Sequence, residues 1–470
     1  MVSVRILLFA VICAVLTGCA EVGPDYHVPQ NAIVNAPEAN GVFVAGGAAV
    51  QDSPPPDHWW RLYDDATLDD LVAKALASNV DLRAAQANLE RSDALLAEVR
   101  SERDISVAAD TEVNYTQQSA QAVLSHVEPP RHGTYNVGIT MSYDLDLFGG
   151  IRRGIEAASA QNEAAVAARD LVRVNVAAET ARAYADLCNA GNQIDVLQHV
   201  IIVQQQSLAL TQQLIASGRA APFEQGRQQG PIDSSRSQLE PLKALQLNAA
   251  FRLATLMGQP PEKYDRSLLA CHTPLKLDML IPTGDGRELL KRRPDVRAAE
   301  RRLAASTADI GVATAALYPD VKLGASIGST GAITSFLSPL TNRFSVGPMI
   351  TWDLHRSAIR DRISAAQAQS RESLANFDST VLTALRETES SLDTYAAGLD
   401  RLQRLEDARN EARTVYERTN ELRHGGKVGG LVALDAERTY VTAEMAVASA
   451  QEDVNNEQIA TFLALGGGWQ

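Results

Sequence analysis

Ile155-x-Ala157-Ala158-x-Ala160-Gln161 returns 208 residues later as Ile363-x-Ala365-Ala366-x-Ala368-Gln369. The same offset carries Glu179-Thr180 onto Glu387-Thr388 and Thr211-x-x-Leu214, with Gly218, onto Thr419-x-x-Leu422, with Gly426. It also carries Leu256-Met257-Gly258 onto Ala464-Leu465-Gly466. A short match arises by accident; one offset held over roughly a hundred residues does not, and it marks an internal duplication. Two further pairs lie upstream: Asp81-Leu82-Arg83-Ala84-Ala85 with Asp295-Val296-Arg297-Ala298-Ala299, and Tyr143-Asp144-Leu145 with Trp352-Asp353-Leu354. The body of the chain therefore reads as two similar halves, 59–270 and 271–470.

Each half has one order of elements. A helix comes first, over 66–103 and 286–316, started by Asp64/Asp65 and by the Gly-rich 284–286. Two alternating stretches follow. Tyr135, Val137, Ile139, Met141, Tyr143 and Leu145 are spaced by two, with Asn136, Gly138, Thr140, Ser142 and Asp144 between them. That is a strand with one greasy and one polar face. Ile105, Val107, Ala109 and Thr111 begin a weaker one. The second half gives Val321, Leu323, Ala325 and Ile327, then Phe344, Val346, Ile350, Trp352 and Leu354, with Pro348 costing that strand a ladder donor.

A proline-free helix follows each pair of strands, over 149–217 and 357–424. At ~1.5 Å per residue such a rod is ~100 Å long. Leu187, Ile194, Ile201, Leu208 and Ile215 fall seven apart, a coiled-coil seam. The second rod is less regular, with Leu385, Leu392, Leu399, Val415 and Leu422. Both end at glycines, Gly218 and Gly425-Gly426, which suit a left-handed terminus. Return helices occupy 223–258 and 430–465. Gly226, Gly230-Pro231 and Pro241 predict that the first of them bends or starts late.

The chain has 470 residues, 43 Lys+Arg and 57 Asp+Glu, a formal net charge of −14. That acidity argues against a nucleic-acid partner. Aromatics are 5% and hydrophobics 45%, a mix suited to long helices packed through small side chains. No run after residue 20 approaches the ~20 apolar residues of a spanning helix. Four strands with one apolar face cannot stay an open sheet in lipid, because edge groups would go unpaired. Four are also too few for a membrane barrel of about eight strands or more. Copies must therefore share one barrel, and the polar face then lines a pore.

Arg5, the apolar Ile6 to Leu16 and Thr17-Gly18-Cys19 read as a secretory signal. Leu16-Thr17-Gly18-Cys19 resembles the bacterial lipobox, with residues 1–18 removed and Cys19 lipidated. Ala20 resembles an outer-membrane address. Residues 19–58, rich in Pro, Gly, Ala and Asn, read as an extended tether. Cys188 and Cys271 remain, in a compartment that permits a disulfide; a bridge and two free thiols are both open.

Chemistry-bearing patterns are weak. Gly324-Ala325-Ser326-Ile327-Gly328 spells a nucleophile elbow but lies in an alternating strand. Asp144-x-Asp146 with Gly149 lacks the other ligands of a calcium loop. The eight His show no zinc spacing. No catalytic or metal residues are assigned, and no cofactor beyond the lipid on Cys19. Trp59-Trp60 reads as packing at the first helix.

Leu16-to-Cys19, Val22-Gly23-Pro24-Asp25-Tyr26, Trp59-Trp60, the paired Asp-[Leu/Val]-Arg-Ala-Ala segments, Arg292-Arg293-Pro294-Asp295-Val296, Leu434-Asp435-Ala436-Glu437-Arg438 and Ala464-Leu465-Gly466-Gly467-Gly468-Trp469 together resemble the TolC-like outer-membrane efflux proteins of the NodT lipoprotein type. The resemblance implies a mainly α protein with a transmembrane β part, a homotrimer with a 12-stranded β-barrel continued by a periplasmic α-helical tunnel. It implies docking to a periplasmic adaptor protein and an inner-membrane pump of the RND type. The function implied is a passive exit duct for small molecules such as drugs, lipid-anchored in the outer membrane. The alternative is a structural or adhesive coiled-coil lipoprotein without a pore. The family's tip carries a hydrophobic and an acidic ring, which match Leu431 and Asp435 here; packing and a helix cap are their plainer readings. Arg423 and Lys427 are set aside. Departures are His355-Arg356-Ser357-Ala358 at the second strand-to-helix corner and Phe223-Glu224-Gln225-Gly226-Arg227 at the first tip.

Overall fold

The computed structural model describes residues 21–122, 124 and 126–467. Cys19, the rest of Leu16 to Cys19, and the terminal Gly468-Trp469 lie outside the described residues. The chain forms two compact units. One comprises residues up to Pro29, Leu89–Ala165 and Ala298–Phe377; the other comprises Gln30–Asn88, Val166–Arg297 and Asp378 onward.

The first unit holds an antiparallel sheet of β2 (Ser106–Thr116), β3 (His132–Asp144), β5 (Asp320–Ala332) and β6 (Asn342–Thr351), in that order. The register sets Val107, Met141, Ala325 and Val346 in one row, and Ala109, Ile139, Ile327 and Phe344 in the next. These rows leave Phe344 83% and Val346 81% exposed. The opposite face carries Asp110, Asn136, Thr140, Ser326, Arg343 and Ser345. There Arg343 donates to Asn136 at 2.9 Å and the Ser326 and Ser345 hydroxyls meet at 2.8 Å. Period-two patterning thus produced one apolar and one polar face. Ser326 sits mid-strand, which removes the strand–turn–helix geometry a nucleophile elbow needs. Pro348 pairs with Leu323 on β6, an end strand of the four-stranded sheet, the position where a proline is tolerated.

The helices are α1 (Ala66–Ser78), α2 (Val80–Ser101), α3 (Gly150–Ala216), α4 (Phe223–Leu256), α5 (Gly286–Arg292), α6 (Pro294–Ala315), α7 (Arg356–His424) and α8 (Gly430–Ala464). The first helix of each half is therefore two helices, a correction to the single helices expected over 66–103 and 286–316. Asn79 breaks the first pair: its Oδ1 accepts from the Asp81 and Leu82 amides, capping α2. Arg293 is extended before Pro294, as a residue preceding proline prefers. Asp285, rather than the neighbouring glycines, caps α5 by accepting from the Glu288 amide at 2.8 Å. Asp65 caps α1 in the same way.

α4 is one continuous helix from Phe223 despite Pro231 and Pro241, so it does not start late. Pro241 is exposed and Pro231 half-buried, and water can reach the carbonyls that each proline leaves without a donor. α3 and α7 both close on a Schellman motif. Gly218 has φ 66° and Gly426 φ 71°. Arg219 and Lys427 donate to the carbonyls of Leu214 and Leu422, satisfying orphan acceptors as glycine's left-handed conformation allows.

The second unit's core joins Trp59, Trp60, Leu68 and Val72 to an alanine-rich stretch of α3 and to Phe462 of α8. Trp59 stacks on Phe462 with centroids 4.7 Å apart. Of the heptad seam, Leu187, Ile194 and Ile201 are buried, while Leu208 and Ile215 are half-buried. Residues 30–57, expected as an extended tether, are fastened along α7. The Ile33 amide donates to Asp378, and the Val44 and Ala45 amides to the Glu389 carboxylate at 3.0 and 2.9 Å. β1 (Val50–Gln51) then pairs with β4 (Ile281–Pro282).

Candidate functional site: the helix tips and the N-terminal clamp

Where α7 turns back into α8, the first residues of α8 project outward. Leu431 is 53% and Val432 56% exposed. Asp435 lies one turn beyond Leu431 on the same exposed face. The cap reading for Asp435 fails: Gly429 is the N-cap and Asp435 sits past the first turn. The matching end of α4 exposes Phe223 to 65%. Phe223 is the 208-residue counterpart of Leu431. That offset was the signal for it, obscured by the altered motif around it.

Behind this apolar and acidic surface lies a polar knot. Arg423 is only 8% exposed. Its Nη1 donates to Ser207 Oγ at 3.0 Å and its Nη2 to Thr211 Oγ1 at 3.2 Å, both on α3. Glu437 of α8 is 4% exposed. Burial pushes its carboxyl above the ordinary range, opposed by a bond to Ser207 and by the Arg423 charge. Burial pulls Arg423 the other way, with Glu437 and Tyr416 opposing. Tyr416 stacks on Tyr440 with centroids 5.2 Å apart. Arg423, set aside from sequence, thus ties α3 to α7. No spacing announced it, because its partners are two ordinary hydroxyls on another helix.

Cys188, fully buried on α3, is bridged to Cys271 with Cα atoms 4.8 Å apart. Beside it His272 Nδ1 lies 2.6 Å from Asp195 Oδ2.

In the first unit the Val22-Gly23-Pro24-Asp25-Tyr26 segment is clamped by Arg153, near the start of α3. The Arg153 side chain is 4% exposed and meets Asp25 and Glu156 at 2.7 Å and Glu21 at 3.5 Å. It also donates to the Val22 carbonyl at 3.2 Å. Gly23, at φ 93°, lies so close to Gly311 that a Cβ on it would collide with the Gly311 backbone, and a Cβ on Gly311 would collide with the Arg153 side chain. The Val22 amide donates to the Phe148 carbonyl at 3.2 Å, and the Tyr26 hydroxyl to Glu300 at 2.6 Å. At the strand-to-helix corner the Asp146 carboxylate accepts from the Ile151 and Arg152 amides, so it caps α3 rather than holding calcium. In the other half, Asp353 accepts from the His355 amide and Arg356 stacks over Trp352. Among the described residues no group of three or more His, Cys, Asp or Glu is placed to hold a metal.

The family model for the outer membrane efflux protein matches residues 71–259 and 286–467. The chain belongs to that family. As an outer membrane efflux protein it is 29% identical to the outer membrane protein OprJ of Pseudomonas aeruginosa, covering 98% of this chain and 95% of that one. It is 24% identical to the probable outer membrane lipoprotein SilC of Salmonella typhimurium, covering 97% of each. Among solved structures, the outer-membrane channel OprN matches with a TM-score of 0.87 and 34% identity, over 95% of this chain and 99% of that one. This efflux protein is an outer-membrane protein with the TolC-like channel fold, mainly helical.

Proposed function

We propose that this outer membrane efflux protein is a passive exit duct, built from three copies whose sheets close a 12-stranded barrel continued by a periplasmic helical tunnel. The observation that carries it is the four-stranded sheet with an exposed apolar face, a polar face, and β2 and β6 as its end strands. In a bilayer such edges must be paired, and another copy supplies the complementary edge. Each copy then contributes two repeats, 59–270 and 271–470. Cys19 carries the lipid anchor after loss of residues 1–18. A periplasmic adaptor docks at the helix tips and an RND-type inner-membrane pump supplies the substrate. Leu431 and Asp435 form the gate: apolar side chains brought together exclude water and ions, and carboxylates favour cations. The duct needs no catalytic residue and no cofactor beyond the lipid. The test is native mass and single-channel conductance of detergent-solubilised protein in planar bilayers. Trimers that conduct support the reading. A monomer, or a trimer that never conducts, refutes it and leaves a structural lipoprotein.

A further inference from the structure

At the end of the sheet away from the helices, β5 and β6 are joined by residues 333–341. This connection does not stand free, because Tyr135 of β3 holds it. The Tyr135 hydroxyl accepts from the Leu337 amide at 2.8 Å and lies 2.7 and 2.9 Å from the Ser329 and Thr341 hydroxyls. Its ring packs on Phe336, centroids 4.7 Å apart, and the residue is only 3% exposed. A Cβ on Gly133 would collide with the Ile333 side chain, and one on Gly331 with that of Thr341. The register sets Tyr135 opposite Gly331, on the same face as Ile139 and Ile327. The connection is therefore folded down over the apolar face of the sheet.

What it presents outward is apolar. Phe336 is 58%, Leu337 57% and Leu340 96% exposed, and 333–341 contains no charged residue. Leu337 has φ 55°, a conformation uncommon for a bulky side chain, and its bond to Tyr135 holds it there. The backbone is also provided for. The Phe336, Ser338 and Thr341 amides donate to the Ile333, Ser335 and Ser338 carbonyls, the Leu337 amide to Tyr135, and Pro339 has no amide hydrogen. Backbone that meets hydrocarbon has to be paired internally in this way. The wall beneath lacks apolar height. On β6 the run from Phe344 to Ile350 covers ~20 Å along the strand at ~3.4 Å per residue. At a tilt of ~40° that gives ~15 Å of depth, against a hydrocarbon-facing band of ~25 Å. Beyond Ile327 and Phe344 the next pair on this face is Ser329 and Asn342. The connection lies over that polar gap and sets Phe336 beside Tyr135, whose ladder partner on β2 is the exposed Val113.

We infer that residues 333–341 form a strap, fastened by Tyr135 to the outer wall of the barrel, whose Phe336, Leu337 and Leu340 are immersed in the acyl chains of the outer leaflet. The inference rests on the proposed barrel and goes beyond it by giving this connection a lipid partner. Continuity names the occupant: the strap, Val113 and the rows through Ile139 and Phe344 form one apolar surface, and the lower rows already face hydrocarbon. Immersion takes the three side chains out of water, which is the favourable term. With no cation in the strap, a headgroup phosphate finds no charged partner there.

The experiment is a spin-label depth measurement on the full-length protein in phosphatidylethanolamine–phosphatidylglycerol vesicles. Nitroxides are attached through Leu340→Cys and, as references, through Val346→Cys on the apolar wall and Ser345→Cys on the polar face. Cys188 and Cys271 are bridged and do not react, and the unsubstituted protein supplies the background. Collisions with oxygen, which concentrates in hydrocarbon, are compared with collisions with a water-soluble nickel chelate. The Leu340 label should match the Val346 label, with oxygen dominant. Tyr135→Phe keeps the ring and removes the hydroxyl; it should shift the Leu340 label several-fold toward the chelate and leave the Val346 label unchanged. A Leu340 label in water beside a Val346 label in hydrocarbon overturns the strap and leaves the barrel standing. A Leu340 label shielded from both reagents is covered by a second copy, which overturns the lipid partner. Unchanged depth in Tyr135→Phe overturns Tyr135 as the fastening. A Val346 label in water overturns barrel and strap together.

Discussion

Arg423 donates to Ser207 at 3.0 Å across 216 residues of sequence. The bond joins the ends of α3 and α7, and Glu437 of α8 meets the same hydroxyl. A buried cation and a buried carboxyl thus share one acceptor-donor pair where three helices converge. Removing the cation leaves Glu437 and two hydroxyls without it. Arg423→Ala should loosen the ends of α7 and α8 by about 2–3 kcal/mol. Amide hydrogen exchange over residues 416–437 would then speed up by roughly two orders of magnitude; unchanged exchange refutes the tie.

The same knot has a pH dependence whose sign follows from Glu437. Its carboxyl is raised above the ordinary value of 4.5, so the native state holds the proton more tightly than the unfolded chain. Its contribution is fully present below 4.5 and is lost as pH rises through the raised folded value. Acidification toward that range should slow exchange at the tip, and Glu437→Gln should flatten this profile. A profile identical in the variant removes Glu437 as its source.

At the tip surface, Leu431 and Asp435 project from one face of α8 and make no core contact. The Leu431→Ala, Asp435→Ala double variant should therefore assemble normally. If they form the gate, it should raise single-channel conductance and vancomycin sensitivity of the cells. Wild-type conductance from assembled protein sinks the gate.

The Cys188–Cys271 bridge closes a separation of 83 residues. Loop-closure entropy puts its contribution at about 4.5 kcal/mol. Thermal unfolding with and without reductant should show a lower midpoint when reduced. Labelling of both thiols without reductant contradicts the bridge.

Arg293 sits at the break between α5 and α6. Its guanidinium donates to the Ala464 carbonyl at 2.9 Å and meets Asp295 at 2.7 Å and Glu387 at 2.9 Å. It is 8% exposed. Arg293→Ala removes the cation shared by two carboxylates and by the Ala464 carbonyl, which keeps its bond from the Thr388 hydroxyl at 3.2 Å, a loss of about 3 kcal/mol. Arg293→Lys keeps the charge but not the fork, and should recover only part of the melting temperature.

The long-period features were legible in the residues themselves. Strands alternating every second residue, glycines ending each rod and the absence of proline in 149–217 and 357–424 all depend on neighbours along the chain, and a fixed offset of 208 residues shows those local patterns twice. Local sterics and backbone hydrogen bonding act over a few residues, so sequence alone determined the element order and the faces of the strands. It misjudged the breaks at Asn79 and Arg293: apolar periodicity runs past both, although Pro294 after Arg293 is itself a local stop signal. There a side-chain cap and a proline-restricted residue decide the geometry.

Tertiary structure alone decided what meets across hundreds of residues. The bridging of Cys188 to Cys271, the Arg153 clamp on Val22 to Asp25, and the burial of Arg423 against Ser207 and Thr211 carry no sequence spacing. Each joins a charged or reactive group to partners from a distant element. Burial then sets its chemistry, because a lowered dielectric and the loss of water make one specific partner matter. The sequence supplied the groups; only packing chose which of them meet.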